Sequence, residues 1–382
     1  MRGFLFCIAS IVLLTIHSQS FSQNKYDCLT DSIFTFKHDS LGLFSHTEMH
    51  QFMKDNEYFN PIVEGYTLLG TTVKQGFYYT PTSKTKIYAG VAALWYDGDK
   101  SFNYIDPELS IQYNFNNHFS MIMGSLPSMQ HHAITPMMLN SENFLTKPSE
   151  KGIEFLMDNK HLRWNTWISW EQFLHPYQHS QEYIYMGNSL EYIPIKTDNF
   201  SLSLPLQFSI YHHGGQINDV WMPLLLMYNN AVGINPKLYV NHSVISLAYY
   251  YLGYKDAASH QTQPFSNGDG HYIRSMYASK HFNVSASYWQ GYQFYAPEGE
   301  QIYSSVSQTI PLSTPSTDQK NRKLYIVEFY YNNQLAKNLH LLCGTEFYDD
   351  VINSILDFNL SLSLRYSGDL LLKNHHREHH SK

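Results

Sequence analysis

The segment FSLSLPLQFSIY, residues 200–211, constrains the fold more than any other stretch of the chain. Apolar side chains occupy its even positions from Phe200 to Ile210, whereas Ser201, Ser203 and other polar residues occupy most of the odd ones. Because successive side chains of a β-strand point to opposite faces, this alternation predicts a strand with one apolar and one polar face. Soluble β-sandwiches and membrane β-barrels both contain such strands, so the rest of the chain must decide between them.

The same alternation recurs along the chain. It is clear in ELSIQYNFNNHFSMIMGSL at 108–126, HLRWNTWISWEQF at 161–173, HFNVSASYWQGYQFY at 281–295 and DFNLSLSLRYSG at 357–368. Further strands are predicted at 66–80, 86–97, 151–158, 182–194, 236–254, 271–280, 323–333 and 338–348.

The composition favours a barrel in a membrane. Aromatic residues make up 16% of the 382 residues and charged residues only 15%, and there are 31 tyrosines. Beyond the N-terminal segment no apolar run approaches the length of a membrane helix, and WMPLLLMY at 221–228 is the nearest. Transmembrane barrels instead use alternating strands of about ten residues, flanked by aromatic girdles at both interfaces.

Turn signals separate the predicted strands, and three longer spacers stand out at 127–150, 255–270 and 296–320. Short turns on one side and long loops on the other are typical of outer-membrane barrels. We therefore predict an all-β fold: a transmembrane antiparallel up-and-down β-barrel of about 14–16 strands over residues 61–368. Pro205 lacks an N–H for the strand ladder, which predicts a bulge with Pro205 facing the lumen, or two shorter strands.

The two ends of the chain have other predicted roles. A cation at Arg2, an apolar run and small residues predict a signal peptide over 1–22, cleaved after Ser22 or alternatively after Ser20. Residues 23–60 alternate poorly and are predicted to be a periplasmic lead-in or a lumen insert. The His-rich tail, 369–382, is either a solvated tail or a Zn²⁺ chelator.

Together the signal peptide, the aromatic-flanked strands and a last alternating strand ending at Tyr366 resemble the porin-like outer-membrane β-barrels of Gram-negative bacteria. The chain departs from that class because SGDLLLKNHHREHHSK follows the last strand, where such barrels usually end on an aromatic residue. The resemblance implies location in the cell outer membrane, with membrane lipid and small polar solutes as partners.

The candidate lumen residues are charged and aromatic side chains on the polar face of the predicted strands. Lys or Arg would cost about 2–4 kcal/mol in the middle of the hydrocarbon, so such groups must face water or one another. They form either a selectivity lining for solutes or a salt-bridged plug, and Trp167 would stack sugar rings or simply pack. The candidates are Lys74, Glu108, Glu154, Arg163, Trp167, Glu171, His281, His340, Glu346 and Arg365.

Catalytic, metal and nucleic-acid sites receive less support. PFSNGDGHY at 264–272 brings Ser266 and His271 near each other in sequence, which suits a hydrolase, but it is also an ordinary Asn-Gly and Asp-Gly turn. The histidine pairs near 131 and 212 are adjacent residues, which point apart on a strand, so no metal or cofactor is predicted. The net charge of −7 and the lack of a basic run exclude nucleic acid as a partner.

The sequence thus predicts a barrel that passes small polar solutes by passive diffusion or export and is not an enzyme. A surface-display or structural barrel with interaction loops is the main alternative. An outer-membrane hydrolase and a secreted carbohydrate-binding β-sandwich are further alternatives. The sequence leaves the oligomeric state and the identity of the solute open.

Overall fold

A computed structural model describes residues 41–126, 132–147, 149–175, 181–214, 223–258, 260–308 and 317–374. These residues form a closed all-β barrel of sixteen strands, which confirms the predicted fold class. The strands are β1 (Gly42–Glu57), β2 (Tyr66–Thr82), β3 (Thr85–Tyr96), β4 (Tyr104–Asn114), β5 (Phe119–Leu126), β6 (Glu150–Asp158), β7 (Leu162–Gln172), β8 (Tyr183–Lys196), β9 (Phe200–His213), β10 (Leu225–Val240), β11 (Ser243–Asp256), β12 (Asn267–Ala278), β13 (Phe282–Tyr292), β14 (Asn321–Ala336), β15 (Leu339–Asp350) and β16 (Ile355–Asn374).

Helices are short and lie in the connections. One turn of α-helix, α1 (Asn143–Thr146), follows β5, and a 3-10 helix (Gln301–Tyr303) follows β13. No helix in the described ranges is long and apolar enough to cross a membrane.

Each strand pairs antiparallel with its neighbours in sequence, and β1 pairs with β16 to close the barrel. The closing register runs from Gly42 opposite Asn374 to Glu57 opposite Phe358. A closed ring leaves no unpaired strand edge, which is what a sheet needs when it spans a membrane.

The two faces of β9 are those predicted from the alternation, one apolar and one polar. Leu204 and Leu206 are 38% and 50% exposed on the outer face, whereas Ser201, Ser203 and Ser209 are buried on the lumen side. The same outward apolar pattern surrounds the barrel, so its outer surface faces lipid and the protein resides in the outer membrane.

Pro205 lies within β9, and its side chain is buried on the lumen side. The strand is continuous, so two shorter strands do not form. A register shift occurs instead in the neighbouring β8, between Tyr192 and Ile195 beside Pro205. The irregular segment of β8 contains Pro194, which itself lacks an N–H, whereas Pro205 pairs with Glu191 in regular register. Pro205 therefore faces the lumen as predicted, but the predicted bulge does not occur at it.

The connections divide the barrel into two ends. At the end that holds Gly42 and Asn374 the turns are short, such as Asn241-His242, where both residues have positive φ angles of 44° and 64°. Two-residue hairpins with two positive φ angles match the twist of the paired strands. We call this the periplasmic end, and the opposite end, which carries the long connections, the extracellular end.

Both predicted flanks of the barrel need correction. Residues 42–57 form β1 and are not a lead-in or an insert, so the barrel spans 42–374 instead of 61–368. The alternation of β1 is weak because His46 and Lys54 face the lumen while Met49 and Gln51 share the outer face. Strand β16 includes 369–374 of the predicted tail; the signal peptide and HHREHH lie outside the described residues.

The long β5–β6 and β13–β14 connections fold into the lumen. Met137 and Met138 from the first connection, and Phe294 and Tyr303 from the second, are buried in one apolar cluster with inward side chains of β10–β15. The wall side chains of that cluster include Met227, Leu252, Tyr272, Trp289, Leu324 and Tyr348. The connections therefore occupy the extracellular half of the barrel interior.

Candidate functional site

A cavity of about 280 Å³ opens where β1, β2 and the two inward-folded connections meet. Polar groups dominate its wall, and Lys54 is the one Lys or Arg among the described lining residues. The lining residues are Lys54, Tyr58, Val63, Tyr66, Asn140, Glu142, Asn143, Pro297, Glu298, Gly299, Glu300, Gln301, Ile302 and Gln308.

Glu142 is the most heavily bonded carboxylate of this cavity. Its Oε1 lies 2.5 Å from Lys54 Nζ and accepts a hydrogen bond of 2.9 Å from Asn56 Nδ2, and Tyr66 donates its hydroxyl to Oε2. Burial acts to raise the pKa of Glu142, but the Lys54 charge and the hydrogen bonds from Lys54, Tyr66 and Asn56 outweigh it and hold the pKa below its usual value. Glu142 is thus an ionised group that fixes the positions of Lys54 and Tyr66.

Helix α1 anchors Glu142 in the lumen. Phe144 and Leu145, two and three residues after Glu142, are buried. Their apolar pocket is formed by inward side chains of four strands: Phe52, Leu94, Tyr330 and Leu342. Burying side chains of this size stabilises the segment by about 1.5–3 kcal/mol each.

Ser141 and Glu300 come together from the two connections. The Ser141 hydroxyl donates to Glu300 Oε1, and both side chains are buried. Backbone hydrogen bonds fix the pair, because the Glu300 N–H donates to the Pro136 carbonyl at 2.8 Å and the Asn140 N–H donates to the Glu298 carbonyl at 2.6 Å. Glu300 lines the cavity, and the Ser141 hydroxyl bonded to it lies next to the lining residues Asn140 and Glu142.

Glu298 occupies another side of the cavity. It accepts a hydrogen bond from the Tyr183 hydroxyl, and its Oε2 lies 3.4 Å from Lys147 Nζ, which also lies 4.0 Å from Glu171. Burial acts to lower the pKa of Lys147, but Glu298 and Glu171 outweigh it and raise that pKa. Glu171, a predicted lumen residue, therefore belongs to an ion-pair network that tethers the β5–β6 connection.

His132 holds the start of the same connection. Its ring stacks on Trp167 with centroids 3.5 Å apart, and its nitrogens lie 3.0 Å from Glu150 and 3.3 Å from Glu154. Burial opposes protonation of His132, but the two carboxylates outweigh it and raise the pKa to about 10. Because His132 covers the Trp167 ring, that ring packs the interior and presents no open face to a sugar.

Other predicted lumen residues lie on the wall around β1 and β16. Lys74 Nζ lies 3.9 Å from Glu108, and Arg365 Nη2 lies 2.9 Å from Glu48. His340 is directly opposite Arg365 across β15 and β16. These side chains form a charged wall in which both signs alternate.

The remaining candidates are dispersed. Glu346 is buried and accepts hydrogen bonds from Tyr330, Tyr348 and Asn359. Arg163 is half-exposed at the periplasmic end, 3.3 Å from Glu191. The prediction for His281 needs correction, because this residue lies in the turn between β12 and β13, where its Nδ1 contacts the Asn332 carbonyl at 3.0 Å, and not along the lumen wall.

The PFSNGDGHY segment does not form a serine–histidine pair. Residues from Asn267 onward are extended in β12, so Ser266 and His271 are roughly 16 Å apart along the chain. The His271 side chain points to the outer face, where its Nδ1 lies 2.9 Å from the Tyr249 hydroxyl. Within the described ranges no three His, Cys, Asp or Glu side chains are grouped to hold a metal ion.

Sequence reasoning did not single out the cavity. Lys54 lies in a region assigned to a lead-in, whereas Ser141, Glu142, Glu298 and Glu300 lie in spacers of irregular pattern. The available signal was the unusual length of the 127–150 and 296–320 spacers, since long loops in compact folds are commonly functional.

Comparisons with known proteins extend these observations. The family model for the lipid A 3'-O-deacylase type matches residues 36–375. Among solved structures, OprD of Pseudomonas aeruginosa is similar, with a TM-score of 0.51 and 9% identity over 88% of this chain and 100% of that one. A loop L8 deletion mutant of OmpT, an outer membrane protein of Vibrio cholerae, has a TM-score of 0.50 and 11% identity over 86% and 100%. The comparison with curated proteins finds no match.

Proposed function

The chain belongs to the lipid A 3'-O-deacylase-type family, and from that premise we propose that it hydrolyses an ester-linked acyl chain of lipid A in the outer membrane. The membership contradicts the expectation that the chain is not an enzyme, which was wrong because no catalytic motif is contiguous in the sequence. The observation that carries the proposal is the Ser141–Glu300 hydrogen bond beside the Lys54–Glu142 ion pair.

Ester hydrolysis needs a nucleophile and a base within hydrogen-bond reach of it. In the proposed reaction Glu300 takes the proton of the Ser141 hydroxyl as Ser141 Oγ attacks the ester carbonyl. The sugar oxygen leaves with a proton returned by Glu300, and the acyl chain stays on Ser141. Water then attacks the acyl-serine while Glu300 accepts a proton from that water. Glu300 returns this proton to Ser141 Oγ as the serine leaves, and the fatty acid is released.

The developing oxyanion needs positive or hydrogen-bonding groups already oriented toward it. Lys54 supplies an ammonium on the cavity wall, and Glu142 orients it. The Tyr66 hydroxyl donates its one hydrogen to Glu142, so it helps to hold Glu142 and does not serve the oxyanion. Glu142 accepts hydrogen bonds from Lys54, Asn56 and Tyr66, which assigns it to positioning. Glu300, the acceptor of the Ser141 hydroxyl, is the proposed base.

The position of the cavity also suits a lipid substrate. It lies toward the extracellular end, and lipid A occupies the outer leaflet of the outer membrane. A cavity of about 280 Å³ has room for the ester and adjoining sugar but not for an entire lipid A molecule, so most of the substrate must remain outside it.

The proposal is tested by comparing Glu300→Gln with Glu182→Gln in fatty-acid release from lipid A vesicles. General-base catalysis typically contributes about 10²–10⁴-fold, so Glu300→Gln should lower the rate by at least about 100-fold. Glu182→Gln, a carboxylate at the same end of the barrel that does not line the cavity, is the control and should retain most of the activity. Equal rates for wild type and Glu300→Gln would refute the role of Glu300.

Passage of small polar solutes is the second candidate function. It is favoured by the porin-like barrel and by the alternating charges of Lys74, Glu108, Glu48 and Arg365 on the lumen wall. The inward-folded connections oppose it, because they occupy the extracellular half of the interior. Conductance measurements distinguish the two functions.

A further inference from the structure

Four outward side chains form a polar row across β11–β14. Tyr251 is directly opposite His271, His271 is opposite Gln290, and Gln290 is opposite Lys323. All four point away from the lumen, because the adjacent Tyr272, Trp289 and Leu324 are the inward, buried residues. The row is thus continuous across four neighbouring strands on the lipid-facing surface.

A second row of tyrosines supports the first one. Tyr249 and Tyr288 lie two residues farther from the extracellular end, on the same outer face. The Tyr249 hydroxyl lies 2.9 Å from His271 Nδ1, and the Tyr288 hydroxyl donates to Gln290 Oε1 at 3.1 Å. These contacts orient the polar groups, which leaves His271 Nε2 and the Gln290 amide group directed to an outside partner.

The depth of the polar row in the membrane decides which part of a lipid it can contact. His271 is the fifth residue of β12, which places it about 10 Å below the extracellular end of a tilted strand. The outward tyrosines Tyr249 and Tyr288 at this level are typical of the aromatic girdle at the membrane interface, so we place the boundary between headgroups and hydrocarbon here. On the opposite wall, eight strands away, the outer face at this end carries exposed apolar residues such as Trp95, Ile105 and Met123.

Polar groups directed into hydrocarbon without partners are costly, so the row requires a polar partner on the membrane side. Its chemistry is mixed: imidazole, amide and hydroxyl groups suit sugar hydroxyls, tyrosine rings suit sugar faces, and Lys323 suits a phosphate. Asp269, two residues before His271 on the same face, adds an acceptor for hydroxyls. This combination matches a phosphorylated sugar better than a simple phospholipid headgroup.

We propose that the outer face of β11–β14 is a docking site for the phosphorylated saccharide headgroup of an outer-leaflet glycolipid. The site is separate from the cavity and holds the headgroup by hydrogen bonds, with no chemical step. It goes beyond the proposed hydrolysis, and it stands or fails independently of Ser141 and Glu300.

The test is native mass spectrometry of the purified full chain, released from detergent after titration with lipid A or with phosphatidylglycerol. Wild type should retain lipid A in preference to phosphatidylglycerol. The double variant His271→Leu with Gln290→Leu should lose about tenfold in lipid A affinity, as expected for two hydrogen bonds.

The matched control is Gln75→Leu, because Gln75 is an exposed outward glutamine that is hydrogen-bonded to Thr47 and Ser45 on β1. Its lipid A affinity should equal that of wild type. All variants are first checked for the difference in gel migration between unboiled and boiled samples that folded barrels give.

Three outcomes overturn the proposal. One is equal lipid A affinity in the double variant and wild type, and another is equal retention of lipid A and phosphatidylglycerol by wild type. The third is a wild-type dimer that the double variant converts to a monomer without a change in lipid binding, which assigns the face to a second copy of the chain. Loss of hydrolysis in Glu300→Gln with lipid retention intact would leave the docking site standing.

Discussion

The inner and outer surfaces of the barrel wall handle polar groups in different ways near the extracellular end. Inside, ionised side chains lie in close pairs, such as Lys54 with Glu142 and His132 with Glu150. Outside, His271 and Gln290 are supported by tyrosine hydroxyls and not by ion pairs. Opposite charges compensate each other where water is scarce, whereas the outer groups keep hydrogen-bonding capacity for a partner. This difference supports the proposed ester hydrolysis in the interior and the proposed glycolipid docking on the outer surface.

The largest expected effect concerns the inner site. Ser141→Ala removes the proposed nucleophile while leaving Lys54 and Glu142 unchanged, so fatty-acid release from lipid A should fall by about 10²–10⁴-fold. The lipid A affinity of the outer row should not change. Activity near the wild-type level would mean that water attacks the ester directly and that Ser141 only orients Glu300.

The next effect concerns stability. His132→Leu leaves Glu150 and Glu154 buried without their cation, which should lower the free energy of unfolding by about 3–5 kcal/mol. His118→Leu, an exposed histidine in a periplasmic turn, is the control and should have little effect. Urea titration in detergent, followed by tryptophan fluorescence, measures both.

The same histidine predicts a pH dependence. Its pKa is raised in the folded state, from about 6.5 to about 10, so its contribution to stability is complete below pH 6.5 and lost as the pH rises through 10. The stability difference between wild type and His132→Leu should therefore shrink between these pH values. A difference that stays constant would mean that His132 acts through packing on Trp167 alone.

A smaller effect tests the outer surface. Leu206 lies near the middle of β9 and is half-exposed on the lipid face, so Leu206→Arg should cost about 2–4 kcal/mol. Leu206→Phe keeps an apolar side chain there and should be nearly neutral. Ser203→Arg is not a suitable control, because Ser203 is only 1% exposed in the packed interior.

The smallest effect concerns the lumen as a pathway. In planar bilayers the wild-type barrel should conduct little, because the β5–β6 and β13–β14 connections fill its extracellular half. Any residual conductance should change its ion selectivity in Arg365→Gln, which removes the cation facing Glu48. Large stepwise conductance in wild type would favour solute passage as the main function.

The barrel could be predicted from the sequence because each strand is encoded by the alternation of neighbouring residues. Alternation in β9 gave the orientation of Ser203, Leu204 and Pro205 directly, but the bulge predicted at Pro205 was wrong, because the register shift lies at Pro194 in β8. Strand β1 was missed because its outer face mixes Met49 with Gln51.

The candidate site was much less predictable. Ser141 and Glu300 are 159 positions apart and meet only when two loops fold into the lumen. The alternation along the strands predicted that Glu154, Trp167 and Glu171 face the lumen. Alternation shows on which side of the sheet a side chain lies, but it does not show which residue the side chain contacts. Pairing of these residues with His132 and Lys147 depends on how the loops pack, which no periodic pattern encodes.

Mass spectrometry of lipid A from Gram-negative cells that express the protein tests the central claim most directly. The account predicts that wild type yields lipid A lighter by one ester-linked acyl chain, while Glu300→Gln, present at the same level as a folded barrel, leaves lipid A intact. Unchanged lipid A in cells that carry the folded wild-type barrel in their outer membrane would contradict the account.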